Sequence, residues 1–519
     1  MDKLINRSIL VYGCLLVYSI ILCYAFGFPV TIYGIIATYL IFYVIINISK
    51  ILFYIAFIIN SIVAILYLPQ AIIYGRPSMA FVASLFETNL SETKEFILNT
   101  PWHLYLYCLL FLCFCVFILF LVSGLKLVKV SIKNKIIACL IIFFSVMYNS
   151  IKEFYIKKEF YLVYTDVSIV GFYSETFKKI INYQRHSRGV IVTMNNEPVW
   201  DVVESHPKYK NYVLVIGESM RADYLSLYHY PINTTPFLSQ TKGMIFDGYI
   251  AAALNTQPSL LNTLYFKRGE EIDFQDNIIT LANKSGFKTY WISNQGRTGS
   301  YDSIAARVAA NAKEIFFTKK SSYDTANIND KALINIFKEK LNESYDGHRL
   351  FVLHLMGSHM RFCDRLDYPV VVNFINEDMS CYLDSLKQTD TLLKETVSLL
   401  ENSGDSYSLI YFSDHGLSHK YKDKEYVSLF VGKEYKQNFQ VPFVKISSDD
   451  TARTLIKVKR SALNFLYGFA DWLGIKEKHL LKAGYEHFFS DKPDEHIKVF
   501  DGDQFIDFES LADDPPMIK

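Results

Sequence analysis

The chain has 519 residues, enough for two or three domains. Its 53 lysines and arginines almost balance 52 aspartates and glutamates, so no overall basic field indicates nucleic acid, and we expect no nucleic-acid partner. The composition, 51% hydrophobic and 16% aromatic, excludes a disordered chain and does not fit an ordinary all-soluble protein. Residues 1–150 hold only nine cations and four anions. The sequence therefore predicts a membrane part followed by a globular domain.

Residues 1–150 contain apolar runs long enough to cross a bilayer as helices of about 20 residues. We predict five transmembrane helices, at 8–26, 30–48, 51–68, 103–124 and 136–149, the last of them short. A cleavable signal peptide is not favoured for the first run, because no small-residue cleavage site follows it. Cations gather before the first run, between the second and third, and between the fourth and fifth. The positive-inside rule then predicts a cytoplasmic N-terminus and places everything after residue 150 outside.

Residues 151–210 are predicted to connect the membrane part to a globular domain. Aromatics mixed with lysines at 151–183 suit an amphipathic helix at a membrane surface, and 185–210 is predicted as loop. Beyond residue 210, short apolar runs alternate with helical periodicity. Strands are predicted at 212–216, 288–292, 350–354, 408–412 and 440–445, and helices at 330–341, 382–400 and 461–473. The alternation predicts an open α/β sheet with helices on both faces.

Polar side chains follow three of the predicted strands. They are Glu218 after the first strand, His354 and His359 after the third, and Asp414, His415 and His419 after the fourth. In open α/β sheets, chemistry collects just beyond the carboxyl ends of the strands. Glutamate, aspartate and histidine are metal-ligand types. The pattern therefore predicts a metal site at one edge of the sheet.

Cysteine usage supports an extracytoplasmic globular domain. Six of the eight cysteines lie in the apolar runs, and the globular part holds only Cys363 and Cys381. An even pair in an oxidising compartment predicts a disulfide that closes the loop after His359. Two independent buried thiols are the alternative.

Several motifs occur together in a fixed order. They are Val-Ile-Gly-Glu-Ser-Met-Arg-Ala-Asp at 215–223, Thr-Thr-Pro at 234–236, His-Leu-Met-Gly-Ser-His at 354–359, Ser-Asp-His-Gly at 413–416 and Val-Pro at 441–442. With the predicted membrane anchor, the set resembles the membrane phosphoethanolamine transferases of the alkaline-phosphatase/sulfatase superfamily. The resemblance implies a five-helix transmembrane domain at 1–150, an amphipathic connector and linker at 151–210, and a periplasmic catalytic domain at 211–519. That domain would contain a mixed sheet with helices on both faces, and the protein would lie in a bacterial inner membrane.

The resemblance also implies a nucleophile and a metal. Thr-Gln-Pro-Ser-Leu at 256–260 matches the family's nucleophile pattern, with Thr256 as nucleophile and Ser259 as the second choice, and Ser259 is otherwise expected to bind substrate. A threonine hydroxyl needs a metal or a base before it can attack phosphorus. The family implies Zn²⁺ held by Glu218, Thr256, Asp414 and His415, although three oxygens and one imidazole also suit Mn²⁺. A helix-capping role for Thr256 is the alternative.

Further residues are assigned to the substrate by the same resemblance. His359 matches a histidine that contacts the phosphoryl group or a second metal, and His354 is either a substrate contact or a buried core histidine. Relatives carry another histidine downstream of Asp-His, where this chain has Val431. Either His419 substitutes for it as a substrate contact, or the second-metal and acceptor subsite differs from that of the relatives. In the loop before the fourth apolar run, the resemblance implies that Glu87, Asn89 and Glu92 contact the ethanolamine ammonium or the lipid head group. A solvated helix face is the alternative for that loop.

The activity implied by the resemblance is transfer of phosphoethanolamine from phosphatidylethanolamine to lipopolysaccharide, at lipid A or the core, through phosphothreonine. The bilayer is then an obligatory partner, and we expect a monomer. Two alternatives stay open: a phosphoglycerol transferase of the same superfamily, and a non-catalytic membrane-anchored scaffold. A sulfatase is not favoured, because no Cys-x-Pro-x-Arg nucleophile motif is present.

Overall fold

The computed structural model describes residues 2–78, 81–82, 85–86, 93–94, 97, 100–125, 131–157, 165–194, 197–269, 271–295, 304–319, 328–420 and 427–518. Contacts divide the chain into two compact units. The membrane unit comprises Met1–Phe86 and Phe96–Arg185, and the sheet unit comprises Glu87–Glu95 and His186–Lys519. The predicted domain boundaries after residues 150 and 210 stay predictions.

Long apolar helices dominate the first part of the chain. The helices described there are Asp2–Ala25, Ile32–Ile48, Lys50–Tyr74, Trp102–Ser123, Ile132–Lys157 and Ser168–Met194. Within the described residues, four segments are long and apolar enough to cross a membrane: Arg7–Ala25, Lys50–Ile73, Trp102–Ser123 and Ile132–Lys152. The predicted count of five is therefore too high by one, because Ile32–Ile48 has only 17 residues. The orientation of the N-terminus stays a prediction.

Ile32–Ile48 is bounded at each end by a residue in an extended conformation. Thr31 precedes the helix in an extended conformation and accepts a hydrogen bond from Gly34 N at 3.2 Å. Ser49 follows it, also extended, and accepts from Leu52 N at 3.4 Å at the start of the next helix. At 1.5 Å per residue this helix is about 25 Å long, shorter than a hydrocarbon core of roughly 30 Å. The last helix differs in the other direction: Ile132–Lys157 is much longer than the predicted 136–149.

The sheet unit contains all the described strands. They are β1 (Val202–Ser205), β2 (Asn211–Gly217), β3 (Gly243–Ile250), β4 (Tyr265–Arg268), β5 (Glu271–Asn277), β6 (Lys288–Ser293), β7 (Glu314–Phe317), β8 (Arg349–His354), β9 (Tyr407–Ser413), β10 (Ser418–Lys420), β11 (Ser428–Phe430), β12 (Phe443–Ser447), β13 (Arg453–Ser461), β14 (Ile475–Glu477), β15 (Lys498–Phe500) and β16 (Phe505–Asp507). Its described α-helices are Thr256–Leu264, Ile278–Lys284, Ile304–Ala309, Lys331–Leu341, Glu377–Asn402, Phe465–Leu473 and Lys478–Ala483.

The predicted loop over 185–210 is partly wrong. The helix that begins at Ser168 continues to Met194, and β1 pairs antiparallel with β14. Between them, Trp200 is 3% exposed and its Nε1 donates to Thr280 Oγ1 at 2.9 Å. An indole buried in this way ties the entry of the chain to the core of the sheet unit.

Eight of the described strands form one mixed sheet, in the order β13-β3-β12-β9-β2-β8-β6-β7. Strands β9, β2, β8, β6 and β7 are parallel, and β12 is antiparallel to both of its neighbours. Strands β2, β8 and β9 are buried along their whole length, as expected for a sheet with apolar side chains packed on both faces. The predicted mixed-sheet α/β domain is confirmed.

Four of the predicted strands lie inside β2, β6, β8 and β9, and the fifth overlaps β12. Strands β3, β7 and β13 were not predicted. Strand β13 lies at the sheet's edge and its exposed positions include Arg453 and Lys457, so it lacks a continuous apolar run. Strand β3 is interrupted by Asp247 and by Gly248, whose φ is +125°. Polar and glycine positions interrupt the apolar pattern of β3 and β13, so the sequence pattern did not predict these two strands.

Candidate metal and active site

Two adjacent parallel strands deliver the acidic residues to one edge of the sheet. Gly217, the last residue of β2, is paired with Ser413, the last residue of β9. The pairing continues for one more step, because Asp414 N donates to Gly217 O at 3.1 Å. Glu218 and Asp414 therefore begin their turns side by side, as expected for parallel strands that end at the same edge.

Glu218, Asp414 and His415 form a compact buried cluster. Their candidate ligand atoms all lie within 4.8 Å of one another. The three residues are 2%, 1% and 2% exposed, respectively. His415 Nε2 lies 3.1 Å from Glu218 Oε1 and 3.8 Å from Asp414 Oδ2. The structure thus brings together three of the four predicted metal ligands around one imidazole nitrogen.

The hydrogen bonds around the cluster fit a divalent cation. His415 Nδ1 lies 2.7 Å from Gly416 O, so Nδ1 carries a proton and donates, which leaves Nε2 for a ligand. Asp414 Oδ2 is buried and accepts no hydrogen bond from the described residues. An imidazole nitrogen and an unpartnered carboxylate oxygen aimed at the same space are the donors that a metal of this class uses.

The charges of the cluster also favour the binding of a cation. Burial and the negative charge of Glu218 raise the pKa of Asp414. Burial alone would lower the pKa of His415, but the carboxylates of Asp414 and Glu218 raise it to about 9. Burial would raise the pKa of Glu218, yet the hydrogen bond and charge of His415 lower it. Two buried carboxylates thus depend on positive charge between them, which a metal ion would supply.

Thr256 places a hydroxyl beside this cluster. It is the first residue of the helix Thr256–Leu264, and Asn255 occupies the N-cap position without a side-chain capping bond. Thr256 Oγ1 donates to Glu218 Oε2 at 2.9 Å and lies 3.4 Å from His415 Nε2. The capping alternative for Thr256 therefore has no support in the helix geometry. The half-buried hydroxyl is the fourth member of the predicted ligand set.

Ser259 has a different position on the same helix. It is 1% exposed and its Oγ donates to the carbonyl of Asp414 at 2.5 Å. A hydroxyl used in this way holds the backbone that carries a cluster residue, so Thr256 is better placed than Ser259 to meet a reacting group. The substrate-binding role predicted for Ser259 stays a prediction.

The histidines after β8 differ in their surroundings. His354 is 1% exposed, its Nδ1 lies 3.2 Å from Ser293 Oγ, and burial lowers its pKa to about 4. It is therefore a neutral histidine packed beside Trp291, whose ring centroid is 5.9 Å away. His359 is half-buried, and its Nδ1 has no hydrogen-bond partner among the described residues. Of the two, His359 has the nitrogen that is available to a ligand.

His419 has partners on both sides of its ring. Nε2 lies 2.6 Å from Tyr224 OH, and Nδ1 lies 2.9 Å from Asp514 Oδ2. Because the carboxylate of Asp514 accepts from Nδ1, Nε2 of the neutral ring accepts from Tyr224 OH, and the tyrosine oxygen accepts from Met517 N at 3.0 Å. His419 is thus held within the protein, which leaves the substitution for the histidine missing at Val431 as a prediction without geometric support. The predicted head-group residues Glu87, Asn89 and Glu92 lie outside the described residues.

The predicted disulfide is confirmed. Cys363 lies in a short 3₁₀ turn, Phe362–Arg365, and is bonded to Cys381 in the helix Glu377–Asn402. The bond closes a loop that begins four residues after His359. The same loop is braced by Asp384, whose Oδ2 accepts from Val371 N and Val372 N at 2.6 and 2.9 Å.

Replacing both Cys363 and Cys381 by serine is expected to lower the free energy of unfolding by about 3 kcal/mol, because the bond closes a loop with a sequence separation of 18 residues. Urea unfolding of the full-length protein measures this change. The matched control is Cys139→Ser, which alters an exposed free thiol in an apolar helix and should leave the stability unchanged. Equal stability of the double variant and the parent would contradict the prediction.

Gln295 belongs to the site but was not predicted. Its Nε2 donates to Glu218 Oε2 and to Leu355 O, both at 3.1 Å. The carboxylate oxygen that accepts from Thr256 is therefore held by a second donor. Gln295 lies two residues after β6, so the strand-end rule that found Glu218 and Asp414 also applies to it. It was overlooked because an amide is not a common metal ligand.

The turn that holds Glu218 is conformationally strained. Ser219 has φ +58°, which is unusual for a residue with a side chain. Its Oγ donates to Glu218 Oε1 at 2.7 Å, and its N donates to Asp414 Oδ1 at 3.2 Å. Gly357, with φ +48°, packs on the same turn, where an added Cβ would lie 3.0 Å from Glu218 N and O. The turn is thus shaped to aim one carboxylate at the cluster.

Comparison with known proteins agrees with this geometry. The Sulfatase family model matches residues 210–475, just over half of the chain. Phosphoethanolamine transferase OpgE from Escherichia coli K12 is 38% identical over 445 residues, which cover 81% of this chain and 80% of that protein. A putative phosphoethanolamine transferase from Haemophilus influenzae is 35% identical over 377 residues, covering 69% and 72%.

Solved structures show the same fold. The integral membrane lipooligosaccharide phosphoethanolamine transferase A from Neisseria meningitidis superposes with a TM-score of 0.54 at 15% identity and covers 90% of this chain and 96% of its own. The periplasmic domain of EptC from Escherichia coli, solved as a complex with Zn, has a TM-score of 0.50 at 19% identity and covers 61% and 96%. The chain therefore belongs to the membrane phosphoethanolamine transferase family of the sulfatase-like enzymes, and the enzyme class predicted from the sequence, a phosphoethanolamine transferase, is confirmed.

Proposed function

We propose that this enzyme transfers phosphoethanolamine from phosphatidylethanolamine to lipopolysaccharide, at lipid A or the core, through a phosphothreonine at Thr256. The observation that carries the proposal is the position of the Thr256 hydroxyl, 2.9 Å from Glu218 Oε2 and 3.4 Å from His415 Nε2, at the start of a helix. Apolar helices long enough to span a bilayer support a lipid donor and a lipid acceptor. The lipooligosaccharide named for the Neisseria enzyme of similar fold motivates the choice of acceptor.

Glu218, Thr256, Asp414 and His415 would hold Zn²⁺. The zinc complex of the EptC domain from Escherichia coli supports that metal, while the oxygen-rich donor set would also accept Mn²⁺. When bound, the cation would lower the pKa of the Thr256 hydroxyl and offset negative charge on the phosphoryl group. Glu218 Oε2 accepts a hydrogen bond from the Thr256 hydroxyl, so the lone pairs of Oγ1 face away from that carboxylate.

The transfer has two displacements at phosphorus. In the first, a bond forms between Thr256 Oγ1 and phosphorus, the bond from phosphorus to the diacylglycerol oxygen breaks, the hydroxyl proton of Thr256 passes to water and the diacylglycerol oxygen takes up a proton from water. In the second, an acceptor oxygen forms the new bond to phosphorus and gives up its proton to water, the bond from phosphorus to Thr256 Oγ1 breaks, and Oγ1 takes up a proton from water. The side-chain nitrogen of His359 is free among the described residues and would contact the phosphoryl group. Glu87, Asn89 and Glu92 would receive the ethanolamine ammonium, and His354 would act only through packing.

We further propose the cellular setting that this chemistry requires. The protein would be an inner-membrane enzyme with a cytoplasmic N-terminus, a catalytic domain in the periplasm and no need for a second copy. The excess of lysine and arginine in alternate loops of 1–150 supports that orientation. The disulfide between Cys363 and Cys381 supports an oxidising compartment for the sheet unit.

Mass spectrometry of lipopolysaccharide tests the acceptor. A deletion strain should lack one phosphoethanolamine group that its parent carries, and the gene should restore it whereas a Thr256→Ala gene should not. Identical lipopolysaccharide masses in the parent and the deletion strain, under conditions where the protein is produced, would refute lipopolysaccharide as acceptor. That result would leave the transferase class untouched.

Gln295→Ala is expected to lower kcat/KM for phosphoethanolamine transfer by about 10-fold, because groups that hold a metal ligand typically matter by 10- to 100-fold. The loss follows from freeing Glu218 Oε2 from one of its donors. Gln388→Ala is the matched control, since the Gln388 amide also makes two hydrogen bonds, in its case to backbone groups alone: Asp367 N at 2.9 Å and Arg365 O at 2.7 Å. Steady-state kinetics on both variants measure the effect. An equal loss of kcat/KM in the two variants would contradict the role assigned to Gln295.

A further inference from the structure

Residues 511–518 pass beside the turns that follow β2 and β9, and hydrogen bonds hold the segment near both of its ends. Lys436 N donates to Ala512 O at 2.9 Å, and Ala512 N donates to Glu434 O at 3.0 Å. Further along, Tyr230 OH donates to Met517 O at 2.9 Å, and Met517 N donates to Tyr224 OH at 3.0 Å. We call residues 511–518 the closing segment.

The centre of the closing segment is Asp514, which is fully buried. Its Oδ2 accepts from His419 N at 2.7 Å and from Arg221 Nη1 at 3.0 Å, and lies 2.9 Å from His419 Nδ1. Its carbonyl accepts from Arg221 Nη2 at 2.6 Å. Asp514 N donates to Gln437 Oε1 at 2.7 Å. One residue therefore joins an arginine and a histidine that come from two different segments.

Those two segments carry the cluster residues. Arg221 lies three residues after Glu218 in the turn that leaves β2, and His419 lies four residues after His415, in the short strand β10 that follows the turn leaving β9. The guanidinium of Arg221 is also bound by Asp223, at 2.9 and 2.7 Å. Asp514 is the further acceptor that connects this guanidinium to the second segment.

The contact continues from Arg221 to the imidazole of His415. The Cγ atom of Arg221 packs on Gly416, where an added Cβ would lie 3.4 Å from it. Gly416 O fixes the His415 ring through Nδ1 at 2.7 Å, and Gly416 N donates to Asn438 O at 2.7 Å. Movement of the Arg221 side chain would therefore displace Gly416, whose carbonyl orients the imidazole of His415.

We infer that Asp514 is a positioning residue for the metal site: it clamps the Glu218 turn to the His415 turn through Arg221 and His419. The inference rests on the proposed metal-binding role of Glu218 and His415. It gives His419 a structural task in place of contact with substrate. It also gives the closing segment a part in metal binding, although none of its residues enters the cluster.

The chain offers a matched control for this inference. Asp494 forms a buried pair of the same kind with Arg460, with Nη1 2.6 Å from Oδ1 and side-chain exposures of 4% and 0%. Asp494 Oδ2 accepts from Ser461 N at 2.8 Å and from Asn464 Nδ2 at 3.0 Å. Tyr485 OH also donates to Asp494 Oδ1 at 2.7 Å, and no cluster residue lies among the partners of Asp494 within the described residues. Losing either aspartate charge leaves a buried guanidinium short of an acceptor.

The test measures Zn²⁺ binding and stability of the full-length protein carrying Asp514→Asn or Asp494→Asn. Both variants should lose thermal stability. Only Asp514→Asn should weaken Zn²⁺ binding in chelator competition, by about 10-fold or more, and alter the visible absorption of the Co²⁺-substituted protein. Asp514→Asn protein with wild-type Zn²⁺ affinity and Co²⁺ spectrum would overturn the inference, as would equal losses in both variants.

A milder variant covers the case in which Asp514→Asn does not fold. Tyr224→Phe removes the hydroxyl that bonds His419 Nε2 at 2.6 Å and Met517 N at 3.0 Å, and keeps the ring. It should weaken Zn²⁺ binding measurably, and unchanged affinity would overturn the inference. If the wild-type protein binds no Zn²⁺, the metal site and the inference both fall. If wild type binds and the variants bind equally well, only the inference falls.

Discussion

Thr256→Ala is expected to reduce phosphoethanolamine transfer by at least about 10⁴-fold, because removing a covalent nucleophile removes the reaction path itself. The helix should persist, since Asn255 and not Thr256 occupies its N-cap position. The hydroxyl lost is the one that donates to Glu218 Oε2 at 2.9 Å. Release of diacylglycerol from phosphatidylethanolamine, followed in purified full-length protein, measures the effect.

Two variants on the same helix serve as controls for Thr256→Ala. Thr263→Ala removes the same group at a buried position whose Oγ1 has no hydrogen-bond partner among the described residues, and should leave the rate unchanged. Ser259→Ala removes the donor to the carbonyl of Asp414 and should slow the enzyme only moderately. A Thr256→Ala protein with near-wild-type transfer, or a Ser259→Ala protein with none, would reverse the assignment of the nucleophile.

Asp414→Asn is expected to weaken Zn²⁺ binding by more than about 100-fold and to abolish detectable transfer. Groups that only support a ligand already cost 10- to 100-fold, so loss of a charged ligand costs more. The Oδ2 atom of Asp414 is the buried oxygen with no donor among the described residues, and we expect it to ligate the metal. Metal content and chelator competition measure the affinity. Wild-type enzyme treated with a chelator should lose activity and regain it on addition of Zn²⁺.

Asp390→Asn is the matched control for Asp414→Asn. Asp390 is 1% exposed and accepts from Phe237 N and Leu238 N at 2.8 and 2.9 Å, and within the described part of the chain it bonds no member of the Glu218–Asp414–His415 cluster. It should lose stability but keep Zn²⁺ affinity. Equal Zn²⁺ affinity in Asp414→Asn and wild type, or full activity after exhaustive chelation, would contradict the metal site.

The sequence predicted the site well where local rules place residues. Glu218 and Asp414 follow apolar runs that become adjacent parallel strands, and parallel strands end at a common edge. The same rule explains why His354 lies beside them while serving the core, since its ring is already buried within β8. Strand periodicity shows which edge a residue reaches but does not show what its side chain touches.

Contacts between distant parts of the chain were beyond sequence reasoning. Asp514 lies 293 residues from Arg221, and no local pattern connects them. The partners of His419 were hidden for the same reason, because Tyr224 and Asp514 come from separate segments, and its predicted substitution for the missing histidine stays a prediction. The count of membrane helices was wrong for a local reason: the predicted run 30–48 has the correct end, but Thr31 caps the helix at its start and leaves it 17 residues long. An average over a sequence window reports hydrophobicity, whereas capping residues determine where a helix begins and ends.

The most direct test is the covalent state of the enzyme supplied with its donor and no acceptor. Purified full-length protein is incubated with phosphatidylethanolamine, quenched in acid, and analysed by intact mass and peptide mapping. The predicted result is one phosphoethanolamine group on Thr256, absent from Thr256→Ala and strongly reduced in Asp414→Asn. Three results would contradict the account. The first is an adduct on Ser259 or another residue, and the second is a glycerol phosphate adduct formed from phosphatidylglycerol in place of the phosphoethanolamine adduct. The third is transfer to the acceptor with no adduct detected at any time.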